Sequence, residues 1–188
     1  ELNFAQMKIC SIYLDDNYDR IFLAGKKGSV KFYNMKVLRF EVDGESDSSV
    51  YDFNADPVIH VNPLGDNHVM FVSHSKGNIR FVVTPPNVYK NSCFGRYTNY
   101  ATRDGIEVFS MVRYSAFDDN TKRIYIGDQF GYLKCFDLTE VLKLLASFSQ
   151  DEYDPENTKK LEKFKLEDCL VFSKLAHRDS IKHLFFPD

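Results

Sequence analysis

The stretch "DQFGYLKCFDL", residues 128–138, alternates apolar and polar side chains after a small-polar start, and so predicts one short strand. "KRIYIG", 122–127, supplies the strand before it, and Gly131 the turn residue that tolerates a positive φ. This unit repeats. "DRIFLAGKKGSVKFYN" (19–34) and "NHVMFVSHSKGNIRFV" (67–82) align with "KRIYIGDQFGYLKCFD" (122–137) on Gly28, Gly77 and Gly131. The flanking runs are too short for helices. In the first and third copies an apolar strand lies upstream, "KICSIYL" and "VFSMVRYSAF", before an Asp-Asp turn. Glycine spacings of 49 and then 54 residues, with antiparallel strands, predict propeller blades and not a small closed barrel.

Composition agrees with such a scaffold and narrows the chemistry. The chain has 188 residues, enough for one sizeable core or two small ones. Seventeen Phe and eleven Tyr, with no Trp, suit pleated surfaces where bulky rings pack. A net charge of −3 offers no phosphate-seeking surplus, so nucleic acid is not an expected partner. Cys10, Cys93, Cys135 and Cys169 stand far apart without a CxxC pair, which predicts buried free thiols, not a zinc knuckle or redox dithiol. No run of 18 apolar residues occurs, and no membrane partner is expected. The opening "ELNFAQMKIC" has neither Met nor an apolar leader core, and the expectation is a chain that begins inside a longer protein.

"SIYLDDNYDRIFLAGKKGSVKFYN" and "SMVRYSAFDDNTKRIYIGDQFGYLKCFD" resemble WD40 repeats, with Tyr33-Asn34 and Phe136-Asp137 in the place of the Trp-Asp dipeptide. In the middle copy Val82-Val83 replace it. "LAHRDSIKHLFFPD", 175–188, resembles the Gly-His segment that leaves one blade and opens the next. The resemblance implies an all-β, partial WD40-like propeller of about three four-stranded blades, near 7–42, 57–98 and 106–175. A fourth begins near 177, and a helical insertion occupies 138–168. Three blades and a fraction do not close a ring of the usual six to eight, so further blades of the same chain are expected. "GDQFGYLKCFDL", a long insertion and "FSKLAHRDSIKHLFF" together resemble the large WD-repeat proteins of ciliary and flagellar axonemes, some of which carry EF-hands.

The WD40 pattern places an Asp in the b–c turn, bonded to the His of a blade-joining loop. Here Lys27, Lys76 and Phe130 precede the turn glycines, but Asp128 lies three residues before Gly131 and is the candidate substitute. His177 is the candidate partner, in a structural bond that pins neighbouring strands, so its loss is expected to lower stability and remove no activity. His177, Asp179 and Ser180 sit within four residues, too crowded for a triad that converges from separate elements. There is no G-x-S-x-G, H-E-x-x-H or Walker loop. "GKKGS", 25–29, lacks the glycine spacing of a phosphate loop and reads as a blade turn. "DGESDSSVYDFNAD", 43–56, begins like a calcium loop, but Ser48 and Asn54 occupy the turn and bidentate positions, which leaves a solvated acidic loop. "NVYKNSCFGRYTNY", 87–100, has aromatic and basic residues suited to stacking RNA, but only three bases; outer-strand packing is the better reading. No catalytic residue, cofactor or metal is assigned.

The insertion carries the remaining signal. Asp137 and Glu140 form a helix start of the capping-box type. Leu138, Val141, Leu142, Leu145 and Phe148 then make one apolar stripe, predicting a helix over 138–148. The stripe docks either on its own propeller, the favoured reading, or on a partner. The function read from all this is a non-catalytic interaction scaffold in a multi-subunit assembly, with the axoneme of cilium or flagellum as its address. The alternatives are a cytoplasmic or nuclear WD-repeat platform for RNA processing or trafficking and, below that, a propeller enzyme.

Overall fold

Among the described residues, apolar–polar alternation and aromatic residues shape three antiparallel sheets of four strands each. The structure, a computed structural model, describes residues 8–15, 20–25, 30–34, 39–40, 58–64, 68–73, 78–83, 93–146, 156, 159–160 and 163–185. The first sheet comprises β1 (Ile9–Asp15), β2 (Arg20–Gly25), β3 (Val30–Asn34) and β4 (Arg39–Phe40), in that spatial order. The second repeats it with β5 (Val58–Pro63), β6 (His68–Ser73), β7 (Asn78–Val83) and β8 (Cys93–Thr98). A separate hairpin follows, β9 (Tyr100–Arg103) and β10 (Ile106–Phe109). The third sheet comprises β11 (Val112–Asp118), β12 (Arg123–Asp128), β13 (Tyr132–Asp137) and β14 (Leu170–Leu175). Between β13 and β14 lie α1 (Thr139–Ala146) and a 3-10 turn, Leu166–Cys169.

The internal repeat is written into the ladders. Each first strand carries a bulge at the same place, between Ile9 and Ser11, Val58 and His60, and Val112 and Tyr114. Those positions are spaced like the turn glycines. Asn34, Val83 and Asp137, which end the dipeptides singled out above, each pair with the first residue of the preceding strand. β5 packs against both β1 and β11, so the bulged first strands are the neighbouring, inner ones. An extra residue at each bulge tightens strand twist, and sheets twisted alike can be stacked side by side.

The core of the third unit joins all its layers. Ile124 and Ile126 of β12, Phe136 of β13, Leu138, Val141 of α1 and Leu166 are buried together with Leu64 and Tyr97 from the second unit. Burial of side chains of this size contributes about 1.5–3 kcal/mol each. Phe136, at the Trp position of the resembled pattern, has its ring edge-on to Tyr97 at 5.2 Å.

Two expectations need correction. "VFSMVRYSAF" is two strands and not one, because the strand is interrupted at Ser110–Met111; residues 106–109 belong to the hairpin, and the third sheet begins at Val112. The hairpin is made by Asp104 and Gly105, both at positive φ (52° and 80°), the conformation a two-residue hairpin turn requires. The helix is described over Thr139–Ala146, and residues 147–148 of the expected span lie outside the described residues; what differs is its start. Asp137 does accept the Thr139 N–H at 2.9 Å, but Glu140 turns outward to Lys143 (2.7 Å) and closes no capping box. Gly28, Gly77, Phe148, the glycine-lysine turn at 26–29 and the acidic loop at 43–56 lie outside the described residues.

Candidate interaction surfaces

The turn between β12 and β13 is organised by one buried carboxylate. Asp128 is 1% exposed. Its Oδ1 accepts the N–H groups of Phe130 and Tyr132, each at 2.9 Å, and its Oδ2 accepts Asn99 Nδ2 at 3.3 Å. Asn99 Nδ2 also donates to the Ser110 carbonyl (3.0 Å), and Ser110 N–H donates back to the Asn99 carbonyl (3.0 Å). The side-chain partner of Asp128 therefore comes from the segment that enters its own sheet.

His177, expected as that partner, belongs to the segment that leaves the sheet. Its ring is exposed, and the Asp179 N–H donates to its Nδ1 at 3.1 Å, a local bond. Pinning is done by backbone. The N–H groups of Ala176 and His177 donate to the Gly131 carbonyl (2.9 and 3.1 Å), and Ile181 N–H donates to the Asp128 carbonyl (2.9 Å). A side chain at Gly131, where φ is 83°, would run into the His177 carbonyl oxygen. His177→Ala is therefore expected to change stability by no more than about 0.5 kcal/mol, the range of ordinary surface substitutions. A denaturant melt showing a loss above about 1 kcal/mol would restore the ring to a structural role.

Above this turn sits the hairpin, anchored by buried polar groups that the sequence reading did not single out. Lys134 of β13 is 6% exposed and donates from Nζ to Tyr97 Oη (3.1 Å) and to the Tyr100 carbonyl. Tyr132 Oη donates to the Thr102 carbonyl (2.8 Å), and the Arg103 guanidinium lies over the Phe130 ring at 5.5 Å. The register pairs Tyr100 with Phe109 and Thr102 with Glu107 on one face. The Tyr100 and Phe109 rings stack at 4.9 Å, yet stay 39% and 56% exposed; Ile106, on the opposite face with Arg103, is 65% exposed. Ala101, also on that opposite face, is buried. An "Asp-Gly" between alternating residues is the signal from which this hairpin was readable.

Burial shifts the two anchoring groups in opposite directions. Desolvation, helped by the charges of Glu167, Asp128 and Glu107, pushes the Tyr97 phenol up to about 12. Desolvation pushes the Lys134 ammonium below its ordinary value, against the pull of Asp128 and Glu107. The unfolded chain would ionise Tyr97 near pH 10, so its contribution to stability is complete below pH 10 and is lost as pH rises toward 12. Two units correspond to about 2–3 kcal/mol. The stability advantage of the wild type over Tyr97→Phe should shrink by that order between pH 10 and 12 in parallel urea melts. A pH-independent difference would place the phenol in contact with water. Lys134 acts oppositely: its burial weighs against folding while protonated, and relief comes as pH rises toward 10.5.

Along the inner strands, rings from successive units meet. Tyr13 of β1 and His60 of β5 lie 6.2 Å apart, His60 meets Tyr114 of β11 edge-on at 4.6 Å, and Tyr114 meets His183 at 5.4 Å. His60 Nε2 is 3.2 Å from the Arg113 carbonyl, and Tyr13 Oη donates to the Ile59 carbonyl. Desolvation, with a smaller push from His183, holds the His60 imidazole below its ordinary value. The arrangement ties neighbouring inner strands together. Among the described residues, no three His, Cys, Asp or Glu side chains are grouped to hold a metal ion.

At the opposite end of β13, α1 lies against the third sheet. Leu138 and Val141 are buried in the core, Leu142 packs against it, and Leu144, outside the expected stripe, does so too. The cysteines beside it are free: Cys135 is buried, Cys169 half-buried, and burial pushes both thiols up.

This arrangement of sheets has counterparts among solved structures. The chain is similar to the C-terminal WD40 domain of Sif2, with a TM-score of 0.51 and 12% identity, over 72% of this chain and 33% of that one. The fold is WD40-like. It is a partial propeller, spanning about a third of the length of that WD40 domain. A second similarity, to the computationally designed Ika8 protein, has a TM-score of 0.45 and 13% identity over 96% of this chain and 53% of that one. No family model and no curated protein matches the chain.

Proposed function

We propose that this WD40-like segment is a non-catalytic protein–protein interaction scaffold, part of a larger multi-subunit assembly of the ciliary or flagellar axoneme. One observation carries the scaffold reading: the β9–β10 hairpin is fixed by Lys134 and Tyr132 and leaves Tyr100 and Phe109 on one face, and Ile106 on the other, exposed to solvent. Aromatic side chains held rigidly on a surface are the anchors that protein interfaces use. The axonemal address is supported by the resemblance in 127–138 and 172–186.

The test uses tagged protein in ciliated cells and the variant Ile106→Ser/Phe109→Ser. The wild type should stay with detergent-extracted axonemes, and the variant should melt normally but be released. Absence of the wild type from axonemes would remove the axonemal address. Equal retention of both would remove the hairpin as the interaction surface.

A further inference from the structure

The 138–168 insertion does more than cover its own sheet. Between α1, Lys160 with residues 163–165 and the first residues of β14 runs an open cleft of about 760 Å3. That volume lies within the ~300–1,000 Å3 of ligand-binding clefts. Its walls are apolar in the middle: Leu144 and Phe164 are half-buried, while Leu170 and Val171 are 43% and 48% exposed. β14 is the last strand of its sheet, so these side chains lie beside a sheet edge.

The rim is charged, and the chain answers most of that charge itself. Asp137 accepts the Thr139 N–H and lies 3.7 Å from Arg123. Glu140 is paired with Lys143 at 2.7 Å, and Lys160 with Glu156 at 3.8 Å. Lys163 and Lys165, exposed on one wall, form no ion pair among the described residues. Asp168 is the remaining carboxylate. Among the described residues the charge left on the cleft is Lys163 and Lys165 against Asp168, a surplus of one cation that lies on the 163–165 wall beside an apolar floor.

We propose that this cleft is the docking groove for an acidic amphipathic segment of a partner protein. Its apolar side chains lie on Leu144, Leu170 and Val171, and its carboxylates face Lys163 and Lys165. The inference rests on the scaffold reading and assigns it a second surface, at the end of the third sheet away from the hairpin. Opposite charges across such a groove raise the association rate and reject wrongly charged partners, while the apolar floor holds the segment in place. A single-stranded RNA would seek the same lysines, but the floor is aliphatic apart from Phe164, and base stacking needs aromatic faces.

The experiment titrates the 188-residue chain with three fluorescent probes. They are a synthetic amphipathic helix flanked by Glu, the same helix flanked by Lys, and a poly-uridine oligonucleotide. The Glu-flanked helix should bind, weaken as salt is raised, and lose about tenfold in affinity with Lys163→Glu/Lys165→Glu, as expected for charges that steer binding. Leu170→Ser/Val171→Ser should weaken it at all salt concentrations, and Ile106→Ser/Phe109→Ser should leave it unchanged. If the charge-reversed variant misfolds, Lys163→Gln/Lys165→Gln with the wild-type salt titration carries the same test. Equal binding of the Lys-flanked helix, no binding of the Glu-flanked one, or tighter binding of the oligonucleotide would each overturn the proposal. Loss of the hairpin effect in cells with the cleft intact would instead fault the scaffold surface proposed above.

Discussion

Gly131→Val is expected to cost about 4 kcal/mol or more, in the range reserved for disrupted cores and strained backbones, and to leave little folded chain. Two effects add. At φ 83° a β-branched residue is strained by about 1–3 kcal/mol. Its Cβ would also collide with the His177 carbonyl oxygen and come within 2.8 Å of the Asp179 carbonyl oxygen. Both obstacles are backbone, held there by the N–H groups that Gly131 and Asp128 accept, and neither can swing aside as a side chain would. Gly105 is the control. It has nearly the same φ, 80°, but nothing lies within 4 Å of an added Cβ. Gly105→Val should therefore show the conformational part alone. Chemical denaturation of the two variants separates strain from collision, and equal losses would mean that the leaving segment does not press on the turn.

Val141→Asp should destabilise by about 3–5 kcal/mol, because it places an unpaired carboxylate where a 2% exposed side chain now sits. Leu138 and Val141 are enclosed by Ile124, Phe136 and Leu166 of the same unit. The helix therefore belongs to its own sheet along this face. A Val141→Asp protein that melted like the wild type but failed to co-purify with its assembly would show that another subunit provides the cover. Leu142 lies at the edge of the same cluster, only half-buried, and Leu142→Asp should cost less.

Much of the architecture was legible because it is periodic. A glycine at 131, alternation through 132–137 and similar copies upstream suffice to specify strand, turn and strand, since period-two patterning and positive φ are local properties. The helix was legible for the same reason at period 3.6, though its capping was not: Glu140 had the choice of reaching back or pairing with Lys143, and a sequence does not rank those. The hairpin was missed although Asp104-Gly105 marks it, because "VFSMVRYSAF" reads as one apolar run and the strand break at Ser110 is bonded to Asn99, eleven residues earlier. The assignment of His177 to Asp128 failed on topology. A carboxylate in a turn can be reached by the segment entering the sheet or by the one leaving it, and Asn99 arrives first. Lys134 stands at a polar position of an alternating strand, and its burial comes from a hairpin that the strand's own pattern does not encode.

Turns at the end of a sheet are usually where fraying starts, since two strands part there with little to hold them. The turn at 128–131 is different. Asn99 arrives from upstream, Phe130 and Tyr132 fold back from within, and Ala176, His177 and Ile181 arrive from downstream. Opening four residues thus means releasing three separate stretches of chain at once. The weak point of a hairpin has become a knot of local order, and slow exchange of these amides with solvent should report the opening of the whole third unit together with its two neighbouring connections.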